Sequence, residues 1–178
     1  MMRYGLIGEK LGHSFSKIIH EKLADYTYDL IPLSLEELDV FMREKAFNAI
    51  NVTIPYKETV IPYLDEVDPK AAKMGAVNTV VQRNGKLFGY NTDYFGFRYM
   101  LEHNHIQIAG KKVLVLGRGG ASKAVIAVLE DMGAAEIHTI YYKIAENTIS
   151  YETCYALHTD AQVIVNTTPV GMYPNSGK

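Results

Sequence analysis

The stretch VLVLGRGGASKAVIAVLEDMG, Val113–Gly133, decides the fold of the second part of the chain. Val113–Gly117 is a short aliphatic run with the length of a buried strand. Gly117 permits a tight turn after it, and the residues from Lys123 to Met132 carry the apolar spacing of a helix. Strand, glycine-rich turn and helix in that order form the context in which a G-x-G-x-x-G pattern binds a dinucleotide. Gly119 lets backbone N–H groups approach a pyrophosphate, and a helix N-terminus favours its negative charge. Ser122 stands at the third glycine position and is small enough for close packing of helix on strand. Gly117, Arg118, Gly119, Gly120 and Ala121 are therefore the candidate phosphate cradle. The competing reading is a tight strand-to-helix turn that holds no ligand.

The next strand, expected over Glu136–Tyr142, bears on which dinucleotide binds. An NAD site usually places an acidic side chain near the end of this strand, against the ribose 2′-hydroxyl. Here the strand ends Tyr141-Tyr142-Lys143, with a cation and no acid. Lys143 would attract a 2′-phosphate, with Arg118 adding positive charge nearby, so NADP is favoured over NAD. Lys143 can equally be a solvated loop lysine.

Outward from this stretch the chain alternates strand-like and helix-like segments. The expected strands are Arg3–Gly8, Tyr28–Leu33, Phe47–Thr53, Val77–Gln82, Leu87–Tyr90 and Gln162–Asn166. The expected helices are Ser16–Tyr26, with Ser16 as N-cap, Ser34 to about Lys45, Lys57–Leu64, Pro69–Met74 and Asp93–His103. Asn84-Gly85 signals a two-residue hairpin turn. The alternation predicts an α/β protein, divided at the polar connector His103–Lys112 into a first domain, 1–102, and a nucleotide-binding domain, 103–178.

Composition narrows the function classes. In 178 residues, 48% hydrophobic content is enough for a core, and a net charge of −2 demands no nucleic-acid partner. No apolar run is long enough to cross a bilayer, and the first residues do not read as a signal peptide. Cys154 is the single cysteine, so no internal disulfide is possible and a reducing cytoplasm is the expected location. No metal-binding pattern is read from the spacing of residues.

Four polar motifs in the first domain carry the candidate chemistry. GHSFSKIIH places Ser14 and Ser16 on either side of Phe15, NVTIPYK brings Thr53 and Lys57, GAVNTVV sets Asn78 in an apolar run, and GYNTDYFGF puts Asn91, Thr92 and Asp93 at a strand-to-helix transition. A buried asparagine needs partners for its amide. A lysine beside an aspartate can exchange a proton with an alcohol or carbonyl oxygen. Each also has a plain structural reading: Ser16 and Asp93 as helix caps, Lys57 as a surface lysine, Asn78 as a satisfied amide. Taken together with the nucleotide motif they point to hydride transfer on a small polyhydroxylated molecule.

With GHSFSKIIH, NAINVTIPYK, AVNTVV, GYNTDYFGF, VLGRGGASKA and NTTPVGMYPN in this order, the chain resembles shikimate dehydrogenase over nearly its whole length. The resemblance implies reversible reduction of 3-dehydroshikimate to shikimate with NADPH, a step of aromatic amino-acid biosynthesis. It implies Lys57 as proton donor and acceptor beside Asp93, and Ser14, Ser16, Thr53, Asn78 and Asp93 as holders of the substrate's hydroxyl and carboxylate oxygens. Asn51 would support the strand end, and Asn166, Thr167 and Thr168 would close the strand beneath the cofactor. A non-catalytic shikimate binder of the same lineage and a quinate or aminoshikimate relative are the alternatives.

The departures from the family pattern are Lys17 in place of a common proline, Arg118 in place of a small residue, and Tyr142-Lys143-Ile144 where Asn-Arg-Thr is usual. The helix usual beyond that point is expected to be missing, which shortens the adenine side. Family members continue well past NTTPVGM, so the second domain is expected to be partial. Its uncovered apolar edge then predicts poor solubility or self-association of the free chain, with a homodimer as one form.

Overall fold

The computed structural model describes residues 3–12, 14–143 and 145–172. It divides into two compact units, with the division between Thr92 and Asp93. The helix Asp93–His103 thus goes with the second unit and starts it.

The first unit is a six-stranded mixed sheet with helices. Its strands are β1 (Tyr4–Gly8), β2 (Tyr28–Pro32), β3 (Ala49–Val52), β4 (Glu66–Val67), β5 (Thr79–Arg83) and β6 (Lys86–Tyr90), in the order β2-β1-β3-β5-β6-β4. β1 is parallel to both β2 and β3, while β5 runs antiparallel to β3 and to β6. Neighbouring residues of β1 serve opposite faces of the sheet. Ile7 belongs to the large core with Ile31, Ile50, Val52 and Val80, whereas Leu6 packs with Leu11 and Tyr28. A strand buried on both faces reads as a continuous apolar run, which is what residues 6–7 present.

The helices of this unit are α1 (Ser16–Leu23), α2 (Leu35–Glu44) and α3 (Pro69–Met74). α2 forms where the sequence places a capping box: Ser34 Oγ accepts the Glu37 N–H, and the Glu37 carboxylate accepts the Ser34 N–H. Its Leu38 and Met42 are fully buried in the large core. α3 opens with Asp68 accepting from the Lys70 and Ala71 N–H groups and closes at Gly75 in the left-handed region. The hairpin turn has Asn84 at φ 51° and Gly85 at φ 78°, the two positive values that such a turn needs.

Three expectations are corrected here. Ser16 is the first residue of α1, not its N-cap; Phe15 holds the cap position, and Ser14 Oγ accepts the Ser16 N–H at 3.2 Å. α1 ends at Leu23 and buries none of its residues, so the apolar Ile18, Ile19 and Leu23 are exposed rather than packed in the core. Lys57–Leu64 is a run of turns with one 3₁₀ turn at Ile61–Tyr63; Pro62 inside the segment has no N–H to donate to the preceding turn, which opposes a regular helix here.

The second unit contains α4 (Asp93–His103), β7 (Lys112–Leu116), α5 (Gly120–Asp131), β8 (Glu136–Ile140), α6 (Tyr151–Leu157) and β9 (Val163–Asn166). The three strands form a parallel sheet in the order β8-β7-β9. α5 packs on β7 and β8, burying Ala124, Val125, Val128 and Leu129. Leu114 and Ile140 form a core with Cys154 of α6. Tyr94 of α4 donates to Asp131 of α5 at 2.6 Å, fixing one helix to the other.

After β8 there is no helix among the described residues from Tyr141 to Ser150, and Ile149 makes a single parallel bridge to Ile140. α6 follows at once, capped by Ser150 Oγ accepting the Thr153 N–H, and it is a helix the sequence pattern did not reveal. Ile144 and Tyr173–Lys178 lie outside the described residues. No helix among the described residues is long and apolar enough to cross a membrane.

Candidate active site

Asn78 is the centre of the polar constellation in the first unit. It lies between Val77 and the start of β5 and is only 7% exposed. Its backbone belongs to the sheet: Val52 donates to its carbonyl at 2.8 Å, and its own N–H donates to Tyr90 at 3.0 Å. Its side chain belongs to the residue after the GYN motif. Asn78 Oδ1 accepts the Thr92 N–H at 2.9 Å and the Thr79 hydroxyl at 3.0 Å, and Asn78 Nδ2 donates to Thr92 Oγ1 at 3.0 Å. A side-chain amide has both a donor and an acceptor end, so one residue satisfies both groups of Thr92. Thr92 is thereby fixed at the point where β6 ends, and Asp93 is the next residue.

Two other candidates of this unit, Lys57 and Thr53, are placed by their backbone bonds. Lys57 accepts the Val77 N–H with its carbonyl at 2.7 Å, so Lys57 lies beside the residue preceding Asn78. Thr53 donates its N–H to Ile7 at the end of β1, and Gly8 follows directly. A Cβ at Gly8 would come within 2.6 Å of Thr53 Cγ2, so the glycine is what lets the NVT segment close on β1. Lys57, Thr53, Ser14 and Ser16 are half-buried, open enough to reach a ligand and sheltered enough to be oriented.

Asn51 supports the strand end, as expected: its Nδ2 donates to Thr79 Oγ1 at 3.1 Å and its Oδ1 accepts from the buried Tyr28 hydroxyl at 2.6 Å. Burial pushes the Tyr28 phenol above its usual range, so it stays a neutral donor. Asn91 is 3% exposed and donates to the Ala76 carbonyl, which holds the GYN segment against the GAV segment. Tyr28 was given no role by sequence reasoning, and Thr92 was named only as part of the GYNTDYFGF motif, with no role of its own. The signal for Thr92 was its place directly after a buried asparagine in the strand-to-helix step.

In the second unit the glycine turn separates into two kinds of position. Gly117 has φ +106°, and a Cβ there would stand 2.8 Å from Thr167 Oγ1 and 3.1 Å from Thr168 Cγ2. Thr167 is itself pinned, donating to the Leu116 carbonyl at 2.6 Å. Asn166 Oδ1 accepts from the Thr168 N–H and hydroxyl, so Asn166, Thr167 and Thr168 form a compact turn beside Gly117. Gly119 is different: its φ is −87°, and a Cβ would meet nothing within 4 Å. It is the N-cap of α5 and gives no side-chain cap. Helix N–H groups at Gly120 and Ala121 thus begin at an open face, where an anion can accept from them. Ser122, 2% exposed, donates its hydroxyl back to the Gly119 carbonyl at 2.7 Å and packs where the third glycine would stand.

Arg118 and Lys143 are both exposed. The hydrogen bond that Tyr141 donates to Tyr142, with burial, pushes the Tyr141 phenol up, while the positive charges of Lys143 and Arg118 both pull it back. Both cations therefore act on Tyr141, the residue after β8. Lys143 Nζ also lies 5.2 Å from the centre of the Tyr142 ring. The residues present fit a phosphorylated dinucleotide: a turn without side-chain obstruction, a helix N-terminus, and two cations at the strand ends.

The profile of the shikimate dehydrogenase substrate binding domain matches residues 6–80. Among curated proteins, the shikimate dehydrogenase (NADP(+)) of Clostridium beijerinckii is 42% identical over 188 residues, covering 96% of this chain and 69% of its own length. That of Halothermothrix orenii is 43% identical, covering 96% and 68%. Among solved structures, shikimate dehydrogenase 1 of Peptoclostridium difficile superposes with a TM-score of 0.90 at 38% identity, covering 100% of this chain and 71% of its own. The Thermus thermophilus shikimate 5-dehydrogenase, in complex with NADP(H) and shikimate, has a TM-score of 0.83 at 34% identity, covering 96% and 70%. The sheet orders, the Asn78 hub and the glycine turn are thus set in a sequence that belongs to the shikimate dehydrogenase family.

Proposed function

We propose that this chain carries out the reversible reduction of 3-dehydroshikimate to shikimate, in aromatic amino-acid biosynthesis, with NADP as its hydride partner. The observation that carries the reading is the Asn78 hub. A buried amide there fixes Thr92 at the end of β6, and the backbone of Lys57 accepts from Val77, the residue before Asn78. Residues 1–102 supply substrate contacts and residues 103–178 supply cofactor contacts in this proposal.

Lys57 protonates the substrate oxygen during reduction and takes the proton back during oxidation. Asp93 stabilises the ammonium form of the lysine and orients it. Ser14, Ser16 and Thr53 offer hydroxyls, and Asn78 an amide, to the substrate's carboxylate and hydroxyl oxygens. Bound NADP supplies or accepts the hydride. Gly117, Gly119, Gly120 and Ala121 present backbone to the pyrophosphate, Arg118 and Lys143 hold the 2′-phosphate, and Asn166, Thr167 and Thr168 shape the floor beside Gly117. The lone buried Cys154 accords with a cytoplasmic location. The exposed Ile164 on β9, an edge strand, supports pairing with a second copy as a homodimer.

The test is shikimate-dependent reduction of NADP⁺ by this chain, with NAD⁺ and quinate as comparisons. Lys57→Ala is expected to lower turnover by about 10²–10⁴-fold with little change in substrate affinity. Equal turnover in variant and parent removes Lys57 from the mechanism. Faster oxidation of quinate than of shikimate would assign a different substrate.

A further inference from the structure

We infer that Glu136, His138 and His158 form a binding site for one divalent cation of the zinc class. The three side chains each offer a ligand atom, and these atoms all lie within 4.8 Å of one another. Glu136 and His138 are two residues apart on β8, so both point to one face of the sheet. His138 is paired in register with Leu114, which packs on the α6 side. His158 comes to the same face as the residue that ends α6. The site therefore joins an edge strand to the helix that follows it, entirely within the second unit.

One ligand pair already stands near the spacing that such a metal sets. His138 Nε2 and Glu136 Oε2 are 3.1 Å apart. Two ligands at about 2.0–2.1 Å from a tetrahedral zinc ion stand roughly 3.3–3.4 Å from each other. The imidazoles of His138 and His158 lie against each other with ring centres 3.9 Å apart. Two imidazoles and one carboxylate are a donor set that zinc accepts, leaving a fourth position for water.

His158 adds an independent mark. Its Nδ1 is buried and has no hydrogen-bond partner, the one such side-chain atom among the described residues. Buried polar atoms are ordinarily paired, and coordination through this nitrogen would supply the missing partner. Lys112 Nζ is 3.6 Å from Glu136 but 2.8 Å from Asp160. Asp160 thus retains the ammonium when Glu136 turns to a metal.

This corner is separate from the nucleotide turn. Lys112 and Glu136 are the first residues of their strands, whereas Gly117 follows the last residue of β7. Five residues of extended chain separate the two ends, about 16 Å. A cation here fastens β8 to α6 across a connection in which the described residues between Tyr141 and Ser150 form no helix.

The experiment is calorimetric titration of the metal-stripped full chain with ZnCl₂, beside the double variant His138→Gln/His158→Gln and the single variant Glu136→Gln. One zinc per chain is expected for the parent, with affinity lowered about 100-fold or more in the double variant and less in Glu136→Gln. Zinc bound equally by parent and double variant would overturn the proposal, and so would no binding by the parent. Should the double variant fail to fold, Co²⁺ titration of the parent decides instead. The intense visible bands of four-coordinate cobalt are expected, and a weak octahedral spectrum would refute the site.

Discussion

Alanine at Gly117 and alanine at Gly119 are chemically the same change, and the structure gives them opposite consequences. At Gly117 the backbone has φ +106°, where an L side chain costs at least about 1–2 kcal/mol. The new methyl would stand 2.8 Å from Thr167 Oγ1, which cannot retreat without losing its 2.6 Å bond to Leu116. Losing that bond adds about 0.5–1.5 kcal/mol. The smaller entropy of the unfolded alanine chain returns about 0.4–1 kcal/mol. The sum is a loss of about 0.5–3 kcal/mol, before any overpacking against Thr168. At Gly119, with φ −87° and no atom within 4 Å, the stability change is near zero or slightly favourable. The methyl instead occupies the face through which a pyrophosphate reaches the α5 N-terminus. Urea unfolding followed by far-UV circular dichroism measures the first effect, and NADP⁺ titration calorimetry the second. Gly117→Ala unfolding within about 0.5 kcal/mol of the parent would refute the steric reasoning. Undiminished NADP⁺ binding by Gly119→Ala would refute the assignment of the cradle.

Three further outcomes follow from the same geometry. Ser14→Ala removes the acceptor of the Ser16 N–H and a proposed substrate contact, so the Michaelis constant for shikimate rises while turnover changes little; an unchanged constant counts against the contact. Lys143→Ala lowers NADP⁺ affinity about 5- to 10-fold and leaves NAD⁺ affinity alone, which competitive titrations with the two cofactors would read. Asp65 accepts the Leu87 N–H at 2.7 Å and a bond from Lys45 at 3.2 Å, and these hold its carboxyl below the usual aspartate range. A carboxyl depressed on folding stabilises above its unfolded value near 3.8 and loses that contribution as pH falls through the folded value. Asp65→Asn is therefore less stable than the parent at neutral pH, with the difference shrinking in acid; a constant difference down to the acid transition would exclude this account.

How much of this was legible in the sequence depended on whether the signal was local. The α2 capping box, the Asn84-Gly85 turn, and α3 between Pro69 and Gly75 are each set by residues within one turn of each other, and the sequence pattern located them. β4 has two residues and exists because Glu66 and Val67 pair with Phe88 and Gly89, more than twenty positions away. α6 reads YETCYAL, a short segment whose middle residues Thr153, Cys154 and Tyr155 are weak helix formers, and is held by the Ser150 cap and by Cys154 packing on Leu114. Neither follows from local periodicity. The Glu136–His138–His158 cluster was hidden for the same reason: α6 had to be placed before His158 could be set against β8.

The serine pair shows a finer limit. Ser14 and Ser16 are the same residue type two positions apart, and either can cap a helix in principle. Composition and spacing favour Ser16, because it directly precedes the helical pattern. The structure gives the capping acceptor to Ser14, because the helix has already begun at Ser16 and its N–H needs a partner one step earlier. This redistributes the expected costs. A Ser14 substitution disturbs α1 as well as any ligand contact, whereas a Ser16 substitution leaves the observed acceptor in place. Of the two hydroxyls, Ser16 is thus the cleaner probe of binding. The comparison that matters is Ser16→Ala against Ser14→Ala, read by thermal unfolding and by shikimate affinity together. Ser16→Ala is expected to weaken shikimate binding with no loss of stability, and Ser14→Ala to lower both. A Ser16 variant that binds shikimate like the parent would remove Ser16 from the site and leave Ser14 as the sole hydroxyl of this segment in the proposed mechanism.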